Sequence, residues 1–207
     1  MLDGYVSEKE QIESIRKWWN EHGKLLLLAV GIGLLIGFSW RQWQKLQLQR
    51  AENAAVVYQQ VLQANSDKQI KTLQGGVAIL KQHFSGTPYA SLGALLAAKE
   101  AVNQKQLPEA LTELQWVIDH GAVSRLKEIA RINAARVLLA QSKPKEAEAV
   151  IKKMDDKSFA PLVSWVKGDI AMQEGNQQSA QKYYQEAKNG LADFPPAATV
   201  LAQLSAN

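Results

Sequence analysis

The chain has 207 residues, of which 46% are hydrophobic and 21% charged, with a net charge of +4 and no cysteine. These are the values of an ordinary globular protein, and the missing thiol excludes disulfides, thiolate metal sites, a cysteine nucleophile and a lipidated N-terminal cysteine. The charge surplus is small and spread evenly, seven Lys/Arg against five Asp/Glu in residues 1–50 and seventeen against fifteen in 51–207, so no basic stripe points to nucleic acid.

Residues 1–23 form a short head. Ser7 suits a helix N-cap and Glu10 follows three residues later, the reciprocal pair that satisfies two orphan backbone donors. Ile12, Ile15, Trp18 and Trp19 then recur at helical spacing. Such an amphipathic helix either lies in a membrane interface with its tryptophans among the headgroups, ending near Asn20 and Gly23, or runs on into the next segment.

Residues 24–41 read as one transmembrane helix. The stretch 25–40 carries no charge, is bounded by Lys24 and Arg41, and has Trp18, Trp19, Trp40 and Trp43 clustered at its two ends. Sixteen helical residues cover roughly 24 Å, a little less than a hydrocarbon core of about 30 Å. Snorkelling of Lys24 and Arg41 and the interfacial tryptophans make up the difference. Gly37-Phe-Ser39 has the small-x-small form that a signal peptidase accepts, but the leader is 24 residues long and contains Asp3, Glu8, Glu10, Glu13 and Glu21, unlike the short positive leader of a signal peptide. Gly33 and Gly37, four apart, lie on one helical face and allow close approach of a second membrane helix. Four basic residues precede the span and three follow closely, which leans toward a cytoplasmic head.

Residues 42–207 read as an all-α domain, since no segment alternates with β-branched enrichment. Gln42 to Ala64 continues the helix from the span, residues 68 to 84 form another, and Ser85-Gly-Thr-Pro88 punctuates the chain, with Thr87 suited to cap and Pro88 to the first turn of a helix. Internal repetition follows. Ala110, Ala147 and Ala180 align in the second helices of successive pairs; twelve residues upstream stand Ala98, Ala135 and Gly168, and four downstream Leu114, Ile151 and Tyr184. The spacings of 37 and 33 residues bracket the length of a tetratricopeptide repeat, and Gly175 stands at the turn of the last unit.

No catalytic motif is present. His22, His83 and His120 are far apart in sequence, and Asp155-Asp156 reads as a solvated turn. No nucleophile elbow, phosphate loop or H-E-x-x-H occurs, so the chain is not expected to be an enzyme or to carry a cofactor or metal. In tetratricopeptide units the first helix of each pair lines the concave surface. The residues that follow the aligned small positions therefore outline a polar, partly basic partner-binding groove: Lys99, Asn103, Arg136, Asp169 and Gln173. Trp165 is either an aromatic anchor of that groove or a core residue.

Ser7-Glu-Lys-Glu-Gln-Ile-Glu-Ser-Ile-Arg-Lys-Trp-Trp-Asn-Glu-His-Gly-Lys24, Trp40-Arg-Gln-Trp43, Ala54-Ala-Val-Val-Tyr58, Pro88-Tyr-Ala-Ser-Leu-Gly-Ala94, Lys167-Gly168-Asp169 and a short helix after Pro195-Pro196 together resemble the YfgM family, the ancillary subunits of the SecYEG translocon. The resemblance covers essentially the whole chain. It implies a single-pass protein of the cell inner membrane with a cytoplasmic N-terminus and a periplasmic tetratricopeptide-like domain. It implies a non-enzymatic scaffold beside the translocon that links translocated proteins to periplasmic chaperones, notably a membrane-anchored prolyl-isomerase-like one. The alternative is a structural or regulatory subunit that binds mainly through its transmembrane and interfacial helices.

Overall fold

A computed structural model describes residues 8–192. Its helices are α1 Glu8–Ser66, α2 Ile70–His83, α3 Pro88–Asn103, α4 Leu107–His120, α5 Ser124–Ala140, α6 Pro144–Ile151, α7 Ala160–Gln173 and α8 Gln177–Ala192, with a 3-10 turn at Lys157–Phe159 before α7. No strand occurs among the described residues, in agreement with the all-α expectation. Ser7, the cap expected for the head, and the helix expected after Pro195-Pro196 lie outside the described residues. The chain divides into two compact units, Met1–Gln49 and Arg50–Asn207.

The first unit is helical from Glu8 onward. It does not stop at Asn20 or Gly23. Gly23 instead makes room for Trp19, whose ring would lie 3.1 Å from a Cβ at that position. The large apolar side chains of the uncharged stretch, among them Leu27, Leu28, Leu34, Leu35, Ile36 and Phe38, are exposed rather than packed into a core. No single helix among the described residues is long and apolar enough to cross a membrane; two arms, Ile15–Leu25 and Leu27–Ser66, bent by 42°, meet that requirement together by length and composition.

The second unit is built from four helical hairpins: the end of α1 with α2, α3 with α4, α5 with α6, and α7 with α8. Each hairpin turns through one left-handed residue, Lys68, Lys105, Ser142 and Gly175, with φ of 55, 61, 59 and 80°. Each turn closes with the same long bond, Gln69 N to Ala64 O at 2.8 Å, Gln106 N to Ala101 O at 2.8 Å, Lys143 N to Leu138 O at 3.0 Å and Asn176 N to Ala171 O at 2.8 Å. This 6→1 bond satisfies one of the orphan carbonyls at the helix end, and it requires φ > 0 at the turn. The turn residues recur 37, 37 and 33 residues apart. The last spacing is shorter because α6 has 8 residues where α4 has 14 and α7 has 14 where α5 has 17, losses that the longer connection between α6 and α7 only partly offsets.

Close helix crossings hold each hairpin. Ala98 and Ala135 are buried, and the residues opposite them in the repeat, Leu114 and Ile151, are 2% exposed. In the last hairpin the small residue is Gly168, and Tyr184 fills its place: a Cβ there would lie 2.4 Å from the tyrosine ring. The first hairpin, unforeseen from the alanine alignment, reverses the arrangement. Its bulky Val61 is on the first helix, and Gly76 on α2 yields the space, since a Cβ would lie 2.5 Å from a Val61 methyl. Between hairpins, Gly93 gives way to Leu80 in the same manner. The resulting cores are rich in alanine, for example Ala94, Ala98, Ala101, Ala110, Ala130 and Ala134 around Leu114 and Val117. Short side chains let helix axes approach, and dispersion across many such contacts contributes along with apolar burial.

Proline starts these helices, at N1 or N2 of α3, α4, α6 and α7, where its missing N–H costs nothing. Thr87 stands at the N-cap of α3 but makes no side-chain cap; its hydroxyl donates backward to Phe84 O at 2.8 Å, closing the preceding turn. Non-glycine residues are strained in the left-handed region. Lys105→Gly and Ser142→Gly are therefore expected to raise the unfolding free energy by about 0.5–1 kcal/mol each, and Gly175→Ala to lower it by about 1 kcal/mol. Urea titrations of the four proteins followed by circular dichroism check the order.

Candidate partner-binding site

The residues expected to form one groove fall into separate places. Arg136 on α5 and Asp169 and Gln173 on α7 line a shallow open depression together with Leu139, Met172 and Tyr184. Their juxtaposition follows from the repeat: each of Arg136 and Asp169 comes directly after a buried small residue, so it emerges on the face beside the helix crossing. Gln173 Nε2 donates to Leu139 O at 2.9 Å, tying the last turn of α7 to that of α5. Lys99 and Asn103 are exposed on α3 and do not line this depression. Asn103 donates instead to Glu100 Oε2 at 3.2 Å, and Gln104 to Glu100 Oε1 at 2.9 Å. Glu100 belongs to a second hollow with Ile70, Leu73, Ala97, Ala101 and Glu109. The Gln104 and Asn103 amides hold its carboxyl below the usual value.

Asp169 is the chemical centre of the first depression. Tyr184 donates its hydroxyl to Asp169 Oδ1 at 2.8 Å. Trp165 is half-buried with its ring edge-on to Tyr184, centroids 6.0 Å apart at 64°. Burial pushes the Asp169 carboxyl above its ordinary value, against the opposing effects of the Tyr184 hydrogen bond, the Arg136 charge and the Trp165 indole. Desolvation and the Asp169 partner also raise Tyr184 well above the usual phenol value. A carboxylate, a guanidinium, an amide and a half-exposed methionine in one shallow surface suit recognition of a polypeptide. Methionine adapts its shape to varied partners. Nothing here has the geometry of a nucleophile and base. Among the described residues no group of His, Asp and Glu could hold a metal ion, and Asp156 caps the 3-10 turn by accepting from Ser158 N at 2.9 Å.

Met172 and Leu139 join the depression with no sequence motif to mark them. Tyr184 was legible only as a bulky core residue; its polar tip, facing the residue next to Gly168, was the available signal. In the first unit, Gly33 and Gly37 have no side chain within 4 Å of where a Cβ would stand, and the Trp40 and Trp43 rings pair with centroids 5.2 Å apart.

The raised Asp169 pKa has a measurable consequence. The folded state holds this proton more tightly than the unfolded chain, whose aspartates titrate near about 4. Its contribution to stability is full below that pH and is lost as pH rises through the higher folded value. Asp169→Asn keeps an acceptor for Tyr184 and removes the titration. The melting temperature of this variant relative to the parent should climb between about pH 4 and pH 7; a difference that is flat or falls across that range would contradict the assignment.

A family model described as a tetratricopeptide repeat-like domain matches residues 16–204. A relative named ancillary SecYEG translocon subunit, from Escherichia coli (strain K12), is 26% identical over 211 residues, covering 100% of this chain and 98% of the relative. Relatives of the same name from Aggregatibacter actinomycetemcomitans and Neisseria gonorrhoeae are each 26% identical, over 88% and 89% of this chain and 89% of each relative. No solved structure matches. The resemblance to the YfgM family seen in the sequence is borne out by these relatives. With its hairpins, left-handed turns and matched small and bulky positions, the chain belongs to the tetratricopeptide repeat-like domain family.

Proposed function

We propose that this protein is a non-enzymatic scaffold anchored in the cell inner membrane beside the SecYEG translocon. The observation that carries this reading is similarity along nearly the full length to proteins named ancillary SecYEG translocon subunit, in a chain that joins an exposed apolar helix to a repeat domain. Residues 24–41 span the bilayer, residues 1–23 stay in the cytoplasm and residues 42–207 occupy the periplasm. The exposed leucines, isoleucine and phenylalanine of α1 support the span, since such a surface is stable only in an apolar medium. The repeat domain offers an extended surface to a partner. Arg136, Trp165, Asp169 and Gln173, with Lys99 and Asn103 on the neighbouring hairpin, would engage a membrane-anchored prolyl-isomerase-like chaperone and so link translocated proteins to it.

A second reading is favoured by one observation, the uncovered Gly33 and Gly37 face of α1. Here the span and the head bind the translocon and the repeats only space the complex. Affinity purification of the full chain from solubilised membranes separates the two. The scaffold reading expects SecY to co-purify with the parent and with a Lys99→Glu/Arg136→Glu variant, while that variant loses at least about tenfold of the chaperone; a change of about 1.4 kcal/mol in binding suffices for that loss. Undiminished chaperone recovery with the charge-reversed protein, combined with loss of every partner on Gly33→Leu/Gly37→Leu, would favour the second reading.

A further inference from the structure

The third hairpin departs from the others in two ways, and the two departures meet. Fourteen and eleven residues before the four left-handed turns stand Ala54 and Val57, Ser91 and Ala94, Glu128 and Arg131, and Pro161 and Ser164. Charge occupies these positions only in the third hairpin. Its second helix is also short, 8 residues in α6 against 14 in α2, 14 in α4 and 16 in α8.

In the second hairpin the two positions lie under the last turns of α4: a Cβ at Gly121 would lie 3.1 Å from Ser91 Oγ, and Ala94 shares a cluster with Leu114 and Val117. By the register of the repeat, residues 152–157 take the place of 115–120, the end of α4, but they are not α-helical. Arg125, one turn ahead of Glu128, attracts Asp156, which brings this connection to the start of α5. Met154 and Phe159 pack into the cluster around Ile132 and Ile151. Lys152, Lys153, Asp155, Asp156 and Lys157 are exposed. Two half-buried side chains therefore hold down a segment whose counterpart in the second hairpin is two turns of helix.

Beneath it, Arg131 Nη1 donates to Glu128 Oε1, and the two side chains are 19% and 10% exposed. The second carboxylate oxygen, Glu128 Oε2, and Arg131 Nε are buried with no partner among the described residues; Ser91 Oγ, at the equivalent position, shares this condition but carries no charge. A buried ion pair repays the desolvation of its charges only when the remaining lone pairs and protons are also bonded, and here they are not. We propose that the third hairpin opens locally: α6 and its connection to α7 lift from α5 and hydrate Glu128 and Arg131 while the other hairpins stay closed. Such partial openings are drawn from the least stable parts of a fold. The opened form bares Ile151, Met154 and Phe159, which the closed form keeps packed, so the array contains a built-in switch between a closed and an apolar, accessible third hairpin.

The absence of cysteine allows a single thiol to be placed in the full chain. Ala110 and Ala147, each five residues after its left-handed turn, are both 0% exposed. Ala110→Cys in α4 and Ala147→Cys in α6 therefore report opening of the second and third hairpins, read as the rate of labelling by a thiol-reactive dye in detergent micelles. Labelling of Ala147→Cys should be at least about tenfold faster than that of Ala110→Cys. Replacing the pair by apolar side chains, Glu128→Met/Arg131→Met, should slow labelling of Ala147→Cys at least about fivefold and leave Ala110→Cys unchanged. Glu128→Gln leaves the Arg131 charge buried without its counterion and should instead speed labelling of Ala147→Cys alone; this single variant decides the matter if the double one fails to fold. Equal labelling at the two sites overturns the proposal. So does faster labelling of Ala147→Cys that neither change of the pair alters.

Discussion

Everything in the repeat unit depends on how closely two helices cross within each hairpin. The crossing fixes a small residue against a bulky one: Ala98 opposite Leu114, Ala135 opposite Ile151, Gly168 beneath Tyr184, and Gly76 beneath Val61. At Gly168 and Gly76 even a methyl group would collide with the facing side chain, so the small residue there is glycine. Interiors are packed to crystal-like density, so an added methyl must displace a neighbour or open the crossing. The left-handed turns at Lys68, Lys105, Ser142 and Gly175 then return the chain through the same 6→1 bond each time. Residues directly after the crossing, Arg136 and Asp169, are thereby placed on the surface beside one another.

The last crossing also has a chemical side. Tyr184 fills the space left by Gly168 and reaches past it to Asp169, so a packing residue becomes the hydrogen-bond partner of a surface carboxylate. Burial raises the Asp169 pKa and the tyrosine holds it in place. Gln173 adds a strap to the neighbouring hairpin through Leu139 O. These contacts hold the side chains around the depression in fixed positions. The α1 segment follows a different logic, with apolar groups facing outward along its uncharged stretch.

Much of this was legible in the sequence, and the failures have physical reasons. Three hairpins could be read because alanine or glycine recurs on the first helix at Ala98, Ala135 and Gly168. The first hairpin was hidden because its small residue, Gly76, lies on the second helix and not on the first. Three of the left-handed turns were invisible because Lys68, Lys105 and Ser142 stand where Gly175 stands in the last repeat. Thr87 has a capping residue's identity but bonds backward, since Phe84 O lies within 2.8 Å. The expected groove was drawn by repeat position alone, which cannot register that Asn103 is engaged by its own helix neighbour Glu100 while Arg136 and Asp169 share a hollow. The sequence allows the head helix either to end near Gly23 or to run on; the helix runs on, with Trp19 laid across the glycine.

The central claim is that a small residue and a bulky one are matched across each crossing, and a double-mutant cycle at the last hairpin tests it most directly. Gly168→Ala, Tyr184→Leu and the double variant should be compared by chemical unfolding. Overpacking makes Gly168→Ala costly by about 1–3 kcal/mol. Tyr184→Leu recreates the alanine–leucine pair seen at Ala98 and Leu114, so in its presence Gly168→Ala should cost little, with a coupling of at least about 1 kcal/mol. Additive effects, with Gly168→Ala equally damaging in both backgrounds, would contradict the account.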